Sequence, residues 1–538
     1  MATHALRAAL RHFQERLQSQ EAQLGRLRND IDRQAAELAR CRTALQQRME
    51  VSRLQDEPAR RDAERTGLAG NGLWASRLGG GGLGGSGLGS AAKVGAAPEK
   101  QSRRMLRRLA RDLRRLLPHA WGGSPSVAPQ TTEPFDAQDY RVRMRALRAS
   151  GQLARVRTVA LIAPDRLRHA AHAVAHLIDG MSLRCTVLTA IPTAFTEDLY
   201  VVLSPCAFEV LPPPERRILW LVEPGELADG GTTALHTHLD DSLAVFEAML
   251  PRIAELQVRR LAQDQIFHVP LTPRTATKPT LADRSPLGLP HMLARALHGV
   301  GVLDDAAFEA ATAQTRLDAP ATVLCLPEAP ERFAHARESQ RHGAILFPGL
   351  RHLDGWKGTA LSYRYLARRA LQAQRKRLIV WEDDARLPTD FDVRLSALLA
   401  LLDTNARQWD LFSGLITDLS PHGRIKAVQT HGDGLLIEID TVIGMVFGIY
   451  GPKALQALAD YQLAGEDVGR NTIDRYLETL GLHCCTVFPP LVGHSEHLSS
   501  TLWSWTGRRF LSNDLLNPMI DLSQLRLLSK VADTLDCT

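Results

Sequence analysis

The stretch IVWEDDA, residues 379–385, decides how this chain is organised. With Leu378, its first three residues form a short apolar run rich in β-branched side chains, which predicts a buried β-strand. Three adjacent carboxylates follow, Glu382, Asp383 and Asp384, which we call the acidic block. Carboxylates crowded at the end of a buried strand repel one another and lose hydration, so we expect a cation beside them.

Two explanations of the acidic block are open from these residues alone. A divalent metal ion, held by carboxylate oxygens and completed by a substrate diphosphate, would balance the charge. Alternatively, Asp383 or Asp384 caps a helix that begins after the strand. Only the motifs on either side of the acidic block can indicate whether it is a metal site or a helix cap.

Four groups of short motifs, one of them containing the acidic block, follow one another in a fixed order. They are VLCL (323–326) with PER (330–332), GWKGTALSY (355–363), EDDA (382–385) with Phe391 and WDL (409–411), and DRYL (474–477) with PPLV (489–492). In this order they resemble glycosyltransferase family 25, the group of lipopolysaccharide and lipooligosaccharide galactosyltransferases. Two residues depart from the family pattern, since Thr359 stands in place of Cys and Tyr363 in place of His.

The resemblance implies a GT-A-like nucleotide-diphospho-sugar transferase domain over residues 320–500. It implies transfer of a sugar, galactose being the family's example, with inversion to a cell-surface glycan or LPS-type acceptor. In such enzymes Mn²⁺ or Mg²⁺ bridges the acidic block and the donor diphosphate. Asp384 is then the first metal ligand, Asp383 contacts the metal or the donor, and Glu382 and Arg332 bind the donor. His494 is a further metal ligand or, alternatively, a histidine of a surface loop.

Inversion requires a general base that takes the proton of the acceptor hydroxyl. Asp467 and Glu466 come first, because they follow a glycine turn that resembles the acidic acceptor-site turn of other inverting transferases. Asp410 and Asp474 compete with them. For the first pair the alternative is charge compensation at a helix N-terminus.

Lys357 and Ser362 are candidates for contacts with the donor diphosphate. They lie in the glycine-containing GWKGTALSY motif, and a Gly-rich turn before a helix offers free backbone N–H groups to phosphate.

Residues 137–280 predict a Rossmann-like α/β domain with a parallel sheet, because continuous apolar strands alternate with helical segments. The predicted strands are 158–163, 185–189, 199–203, 218–222, 243–246 and 265–269. Residues 281–319 predict a helical connector. Within 320–500 the segments 435–439 and 444–450 predict a β-hairpin, and 501–538 form a tail that packs on the domain or helps to hold the acceptor.

The first 136 residues predict extended, non-globular structure. In 1–55, leucine or isoleucine recurs every seventh position from Leu10 to Leu45, which predicts a coiled coil and a homo-oligomer, or else one helix packed on the body. Residues 56–102 are a Gly-rich flexible linker and 118–136 a second linker.

Residues 103–117 predict a basic amphipathic helix, which is typical of peripheral membrane contact. The alternatives are a helix docked on the folded body and a nucleic-acid-binding arm. The lack of aromatic residues among the arginines disfavours nucleic acid.

Composition places the chain among ordinary globular proteins. Its 538 residues are 44% hydrophobic and 23% charged, and a net charge of +6 does not by itself indicate a nucleic-acid partner. Seven cysteines without CxxC spacing, no signal peptide and no bilayer-length apolar run predict a cytoplasmic protein. From another functional class, a non-catalytic glycan- or nucleotide-binding scaffold with the transferase fold is the alternative.

Overall fold

A computed structural model of the chain describes its globular part. The described residues are 136–227, 238–258, 261, 263–271, 287–404, 409–420, 422–431, 434–463, 465, 467–495, 497–498 and 513–537. The predicted coiled coil 1–55, the linker 56–102, the basic helix 103–117, the second linker up to residue 135 and Glu466 lie outside the described residues.

Strands and helices alternate along most of the described chain. The strands are β1 (Thr158–Ile162), β2 (Arg184–Leu188), β3 (Leu199–Leu203), β4 (Arg217–Leu221), β5 (Ala244–Glu247), β6 (Ile266–His268), β7 (Ala321–Cys325), β8 (Ala344–Pro348), β9 (Leu378–Glu382), β10 (Ala385–Arg386), β11 (Leu411–Ser413), β12 (Ile425–His431), β13 (Gly434–Ile439), β14 (Phe447–Tyr450), β15 (Cys484–Phe488) and β16 (Gly493–His494). The helices are α1 (Asp136–Ala149), α2 (Arg168–Asp179), α3 (Leu250–Val258), α4 (Leu289–Val300), α5 (Asp305–Ala311), α6 (Pro330–Glu338), α7 (Gly355–Gln372), α8 (Phe391–Thr404), α9 (Pro452–Asp460), α10 (Val468–Asn471), α11 (Ile473–Glu478) and α12 (Asn513–Cys537).

The first sheet has six strands in the order β2-β1-β3-β4-β5-β6, and every pair is parallel. This confirms the parallel sheet predicted for residues 137–280. Strands β3, β4 and β5 are buried along their whole length, as expected for apolar runs covered on both faces. The chain therefore has an α/β fold.

The second sheet has eight strands in the order β12-β13-β15-β11-β14-β9-β7-β8 and is mixed. Strand β9, which leads into the acidic block, pairs in parallel with β7 and antiparallel with β14. The predicted hairpin between 435–439 and 444–450 is wrong. Strand β13 pairs instead with β12 and β15, while β14 lies between β9 and β11.

Strand direction places the acidic block at one edge of the second sheet. Because β14 is antiparallel to both β9 and β11, the last two run the same way, and their carboxyl ends share that edge. Trp381 anchors the end of β9, since its ring stacks on Phe447 at 5.8 Å and meets Phe391 edge-on. The acids that follow Trp381 are therefore fixed where the strand stops.

The buried apolar residues of the described chain form two clusters, and each contains residues of both sheets. One of them contains Trp220 of β4 and Val380 of β9 together with apolar residues of helix α4. The tail packs on the body, because Gln524 of α12 donates a hydrogen bond to the carbonyl oxygen of Ile416 at 2.9 Å and Ile520 is buried. Among the described helices, none combines the length and the apolar composition needed to cross a bilayer.

Candidate functional site

Arg332 supplies the cation that the sequence requires beside the acidic block. Its Nε donates to Asp383 Oδ1 at 2.9 Å, and its Nη2 donates to both Asp383 Oδ1 and, at 2.9 Å, Asp384 Oδ2. All three residues are less than 9% exposed. We expected a divalent ion to balance these carboxylates; in the described structure a guanidinium does so, and Asp383 belongs to an ion pair rather than to a helix cap.

The pKa values of the acidic block diverge because the three side chains have different neighbours. Burial raises the pKa of Glu382 well above its usual range, and the charge of Asp384 adds to the effect. Burial also raises the pKa of Asp383, against the opposing influence of Arg332. Burial alone would raise the pKa of Asp384 too, but Arg332 and His494 hold it far below its usual range. Asp384 therefore keeps its negative charge, whereas burial favours the protonated form of Glu382.

The short strands β10 and β16 bring His494 to the acidic block from more than a hundred residues away. They pair antiparallel with Ala385 opposite His494, so the imidazole Nε2 lies 3.4 Å from Asp384 Oδ2. His494 is 2% exposed, which rules out the surface-loop alternative. Next to it, the backbone N–H of Ser495 donates to the carbonyl oxygen of Asp384 at 2.8 Å.

His335 also belongs to this site, although the sequence analysis did not include it. Its Nδ1 lies 2.7 Å from the carbonyl oxygen of Asp383, and its Nε2 lies 3.0 Å from Ser495 Oγ. A carbonyl only accepts, so Nδ1 carries a proton and donates it to this hydrogen bond. The available signal was the spacing from Arg332, because residues three apart share a helix face.

One carboxylate oxygen of the site has no partner among the described residues. Asp384 Oδ1 is buried and accepts no hydrogen bond from them, although Oδ2 of the same group contacts Arg332 and His494. A buried carboxylate oxygen left unpaired is costly, which indicates a ligand or water at this point. Within the described ranges, no cluster of three or more His, Cys, Asp or Glu side chains suitable for a metal ion occurs. A carboxylate and an imidazole together still fit Mn²⁺ or Mg²⁺, provided that substrate phosphates complete the shell.

A pocket opens beside the acidic block, between β11, β14, the loop before β14 and α11. Its enclosed volume is small, about 10 Å³, and Asp474 and Tyr450 are among its lining residues. Glu382 lies nearby, because the charge of Asp474 contributes to the raised pKa values of both Glu382 and Tyr450. Tyr363, at the family's His position, is fully buried and donates to the carbonyl oxygen of Met445 at 3.1 Å.

The remaining candidates for the general base lie elsewhere. Asp410 precedes β11 and therefore lies at the edge of the sheet opposite to the acidic block, where it accepts a hydrogen bond from the His483 N–H at 2.8 Å. Asp467 is exposed at the start of the short helix α10 and pairs with Arg470 at 3.6 Å. Of the described candidates, Asp474 alone lines the pocket.

The two residues predicted to bind the diphosphate have internal contacts. Ser362 is buried, accepts from the Leu350 N–H and donates to the Gly358 carbonyl oxygen, both at 2.7 Å. Lys357 pairs with Asp354 at 3.2 Å. A Cβ at Gly358 would lie 2.6 Å from Leu350 O, so this glycine allows α7 to approach the loop after β8. The motif therefore fastens a helix to the sheet.

No protein-family model matches the chain, and no curated protein matches its sequence. The contacts of the site carry the functional argument.

Proposed function

We propose that the chain is a GT-A-like glycosyltransferase that moves a sugar from a nucleotide-diphosphate donor to a glycan acceptor with inversion. One observation carries the proposal. Motifs far apart in sequence, on which the resemblance to family 25 rests, meet at one edge of one sheet: Arg332, Asp383 and Asp384 join there with His494. Asp384 keeps there a buried oxygen that pairs with none of the residues that the structure describes, which supports a bound ligand.

In this proposal Asp384 and His494 hold Mn²⁺ or Mg²⁺ together with the donor diphosphate. Two protein ligands are few for such an ion, and substrate phosphates and water complete the shell. When bound, the metal supplies a Lewis acid that stabilises the charge on the departing nucleoside diphosphate. Arg332 remains on Asp383 and adds a fixed positive charge beside the diphosphate.

The acceptor hydroxyl enters the pocket next to the acidic block, and Asp474 takes its proton. Asp474 suits this role because it lines the pocket and lies near Glu382. Glu382, whose pKa is raised by burial, donates a hydrogen bond in its protonated form to the donor sugar or ribose. Galactose remains the sugar that the family resemblance suggests.

A non-catalytic nucleotide-binding protein with the same fold is the second candidate. Tyr363 favours it, because the position that carries His in the family holds a buried tyrosine whose hydroxyl bonds to the backbone. The two candidates share the donor site and differ in turnover alone.

Thermal denaturation with UDP, GDP, CDP and their sugars, each with and without Mn²⁺, tests the shared part. Because the protein offers the metal few ligands, we expect Mn²⁺ and the diphosphate to stabilise together and each alone to do little. A ligand at a hundred times its Kd adds about 2.7 kcal/mol to the free energy of unfolding. If no nucleotide changes the melting temperature, both candidate functions are refuted. Release of nucleoside diphosphate from the bound nucleotide sugar separates the enzyme from the scaffold.

A further inference from the structure

The segment that leads from β7 into the first turn of α6, residues 326–332, contacts the acidic block at both of its ends. At its start, the backbone N–H of Leu326 donates to the carboxylate of Asp383. At its end, the guanidinium of Arg332 donates to Asp383 and Asp384. The path of this short segment therefore sets the charge of Arg332 against the acids.

Glu328, in the middle of the segment, is bound to the first sheet and to α4. Its side chain is fully buried. Arg295 of α4 donates to both carboxylate oxygens at 2.7 and 2.8 Å, and the backbone N–H of His268 in β6 donates to Oε1 at 2.7 Å. Arg351 approaches Oε2 at 3.2 Å. A two-pronged arginine contact fixes orientation as well as position.

The main chain of Glu328 is held from the same side. Its carbonyl oxygen accepts from Gln257 Nε2 of α3 at 2.7 Å and from Gln263 Nε2 at 3.2 Å. Both glutamines lie in the part of the chain that builds the first sheet. Backbone and side chain of one residue are thus both fixed by that part.

We infer that Glu328 is a positioning residue, which holds the 326–332 segment on the first sheet so that Arg332 stays aligned with Asp383 and Asp384. This inference rests on the proposed function and assigns a role to the first sheet: it supports the donor site of the second. Binding sites depend on such supporting contacts, and losing one typically weakens binding by about 10- to 100-fold.

Glu328→Gln tests the inference, with Glu247→Gln as the matched control. Glu247 is also fully buried and ion-paired, accepting from Arg252 at 2.7 Å and from the Met249 N–H at 2.7 Å, but its partners lie in α3 and in the loop just before α3. Both variants replace a buried, arginine-paired carboxyl group by an amide of the same shape. The difference between them therefore reports on the segment and not on general stability.

Two measurements follow for wild type and both variants. Hydrogen exchange of the amides in 326–338 should accelerate by about tenfold or more in Glu328→Gln and stay unchanged in Glu247→Gln. The Kd for Mn²⁺ with UDP, GDP or CDP, whichever wild type binds, should rise by about tenfold or more in Glu328→Gln alone. Unchanged exchange, an unchanged Kd, or equal effects in the control would overturn the inference.

A second variant covers the case in which Glu328→Gln does not fold. Gln257→Ala combined with Gln263→Ala frees the Glu328 carbonyl and leaves all charges in place; it should raise exchange in 326–338 and the same Kd. If wild type binds none of the nucleotides, the proposed function fails. The exchange data then still decide whether Glu328 holds the segment.

Discussion

Arg332 and Asp383, 51 positions apart in sequence, are joined by two hydrogen bonds from one guanidinium to one carboxylate oxygen. Breaking a buried ion pair from one side leaves an uncompensated charge, which costs about 3–5 kcal/mol. Arg332→Ala should therefore lower the free energy of unfolding by about that amount in urea denaturation. Arg377→Ala, which breaks the exposed pair with Asp403, is the control and should change it by about 1 kcal/mol or less. Equal losses of unfolding free energy in the two variants would show that the buried Arg332 pair stabilises the fold no more than the exposed pair does.

Asp384→Asn should abolish the joint stabilisation by Mn²⁺ and nucleotide while leaving the fold intact. The amide keeps the shape of the side chain and an acceptor for Arg332 but removes the charge that the metal needs. We expect the Kd of the nucleotide in Mn²⁺ to rise by about tenfold or more, which is roughly 1.4 kcal/mol. Calorimetric titration measures it, with Asp403→Asn, an exposed acid, as control. Retention of the Mn²⁺ effect in Asp384→Asn would remove this residue from the metal site.

Asp474→Asn should separate the three described candidates for the general base. Loss of a general base lowers kcat by about 10²- to 10⁴-fold and leaves donor binding unchanged. Asp410→Asn and Asp467→Asn are matched controls and should retain kcat, because one lies at the opposite sheet edge and the other at an exposed helix start. Steady-state rates with the preferred donor show which of the three acids is the general base. Full activity of Asp474→Asn would exclude Asp474 from that role.

Stability should fall as pH rises through neutrality because of Glu226. Burial raises its pKa from 4.5 to about 7, although the carboxylate accepts from the N–H groups of Val222 and Glu223. Between these two values the folded chain holds a proton that the unfolded chain releases. The contribution is thus complete below about pH 4.5 and lost above about pH 7, up to roughly 3 kcal/mol.

Glu226→Gln should flatten that part of the pH profile, because the amide imitates the protonated acid. Urea denaturation from pH 5 to 8 measures the change. Glu223→Gln is the control, since the Arg166 partner lowers the pKa of Glu223 and its loss leaves this slope intact. An unaltered profile in Glu226→Gln would contradict the assignment.

Local sequence pattern predicted the first sheet well and the second sheet less well. The run of β3 was placed at 199–203 without error, because a parallel strand buried on both faces is apolar throughout. The predicted hairpin fails because the strand that ends at Ile439 does not pair with the strand that begins at Phe447. Strand β13 pairs with the preceding strand and with β15, which begins 45 residues further on, and pairing with a distant strand leaves no local signal.

The sequence predicted charge compensation at the acidic block but not its source. Arg332 lies on another element, and only the parallel pairing of β7 with β9 brings it near Asp383. Strand direction likewise decides against Asp410, since a residue before β11 and one after β9 occupy opposite edges. His494 was named from sequence because it follows the PPLV motif, and the structure brings it to Asp384.

The shared core has a consequence for how the chain can be divided. Trp220 and Val380 belong to one apolar cluster. A truncation at the connector would therefore leave two halves, each with a newly exposed hydrophobic surface. During synthesis, Arg295 and His268 are made before Glu328, so their contacts with it form only when the later half emerges. Heating should accordingly give one calorimetric peak for both sheets, not two.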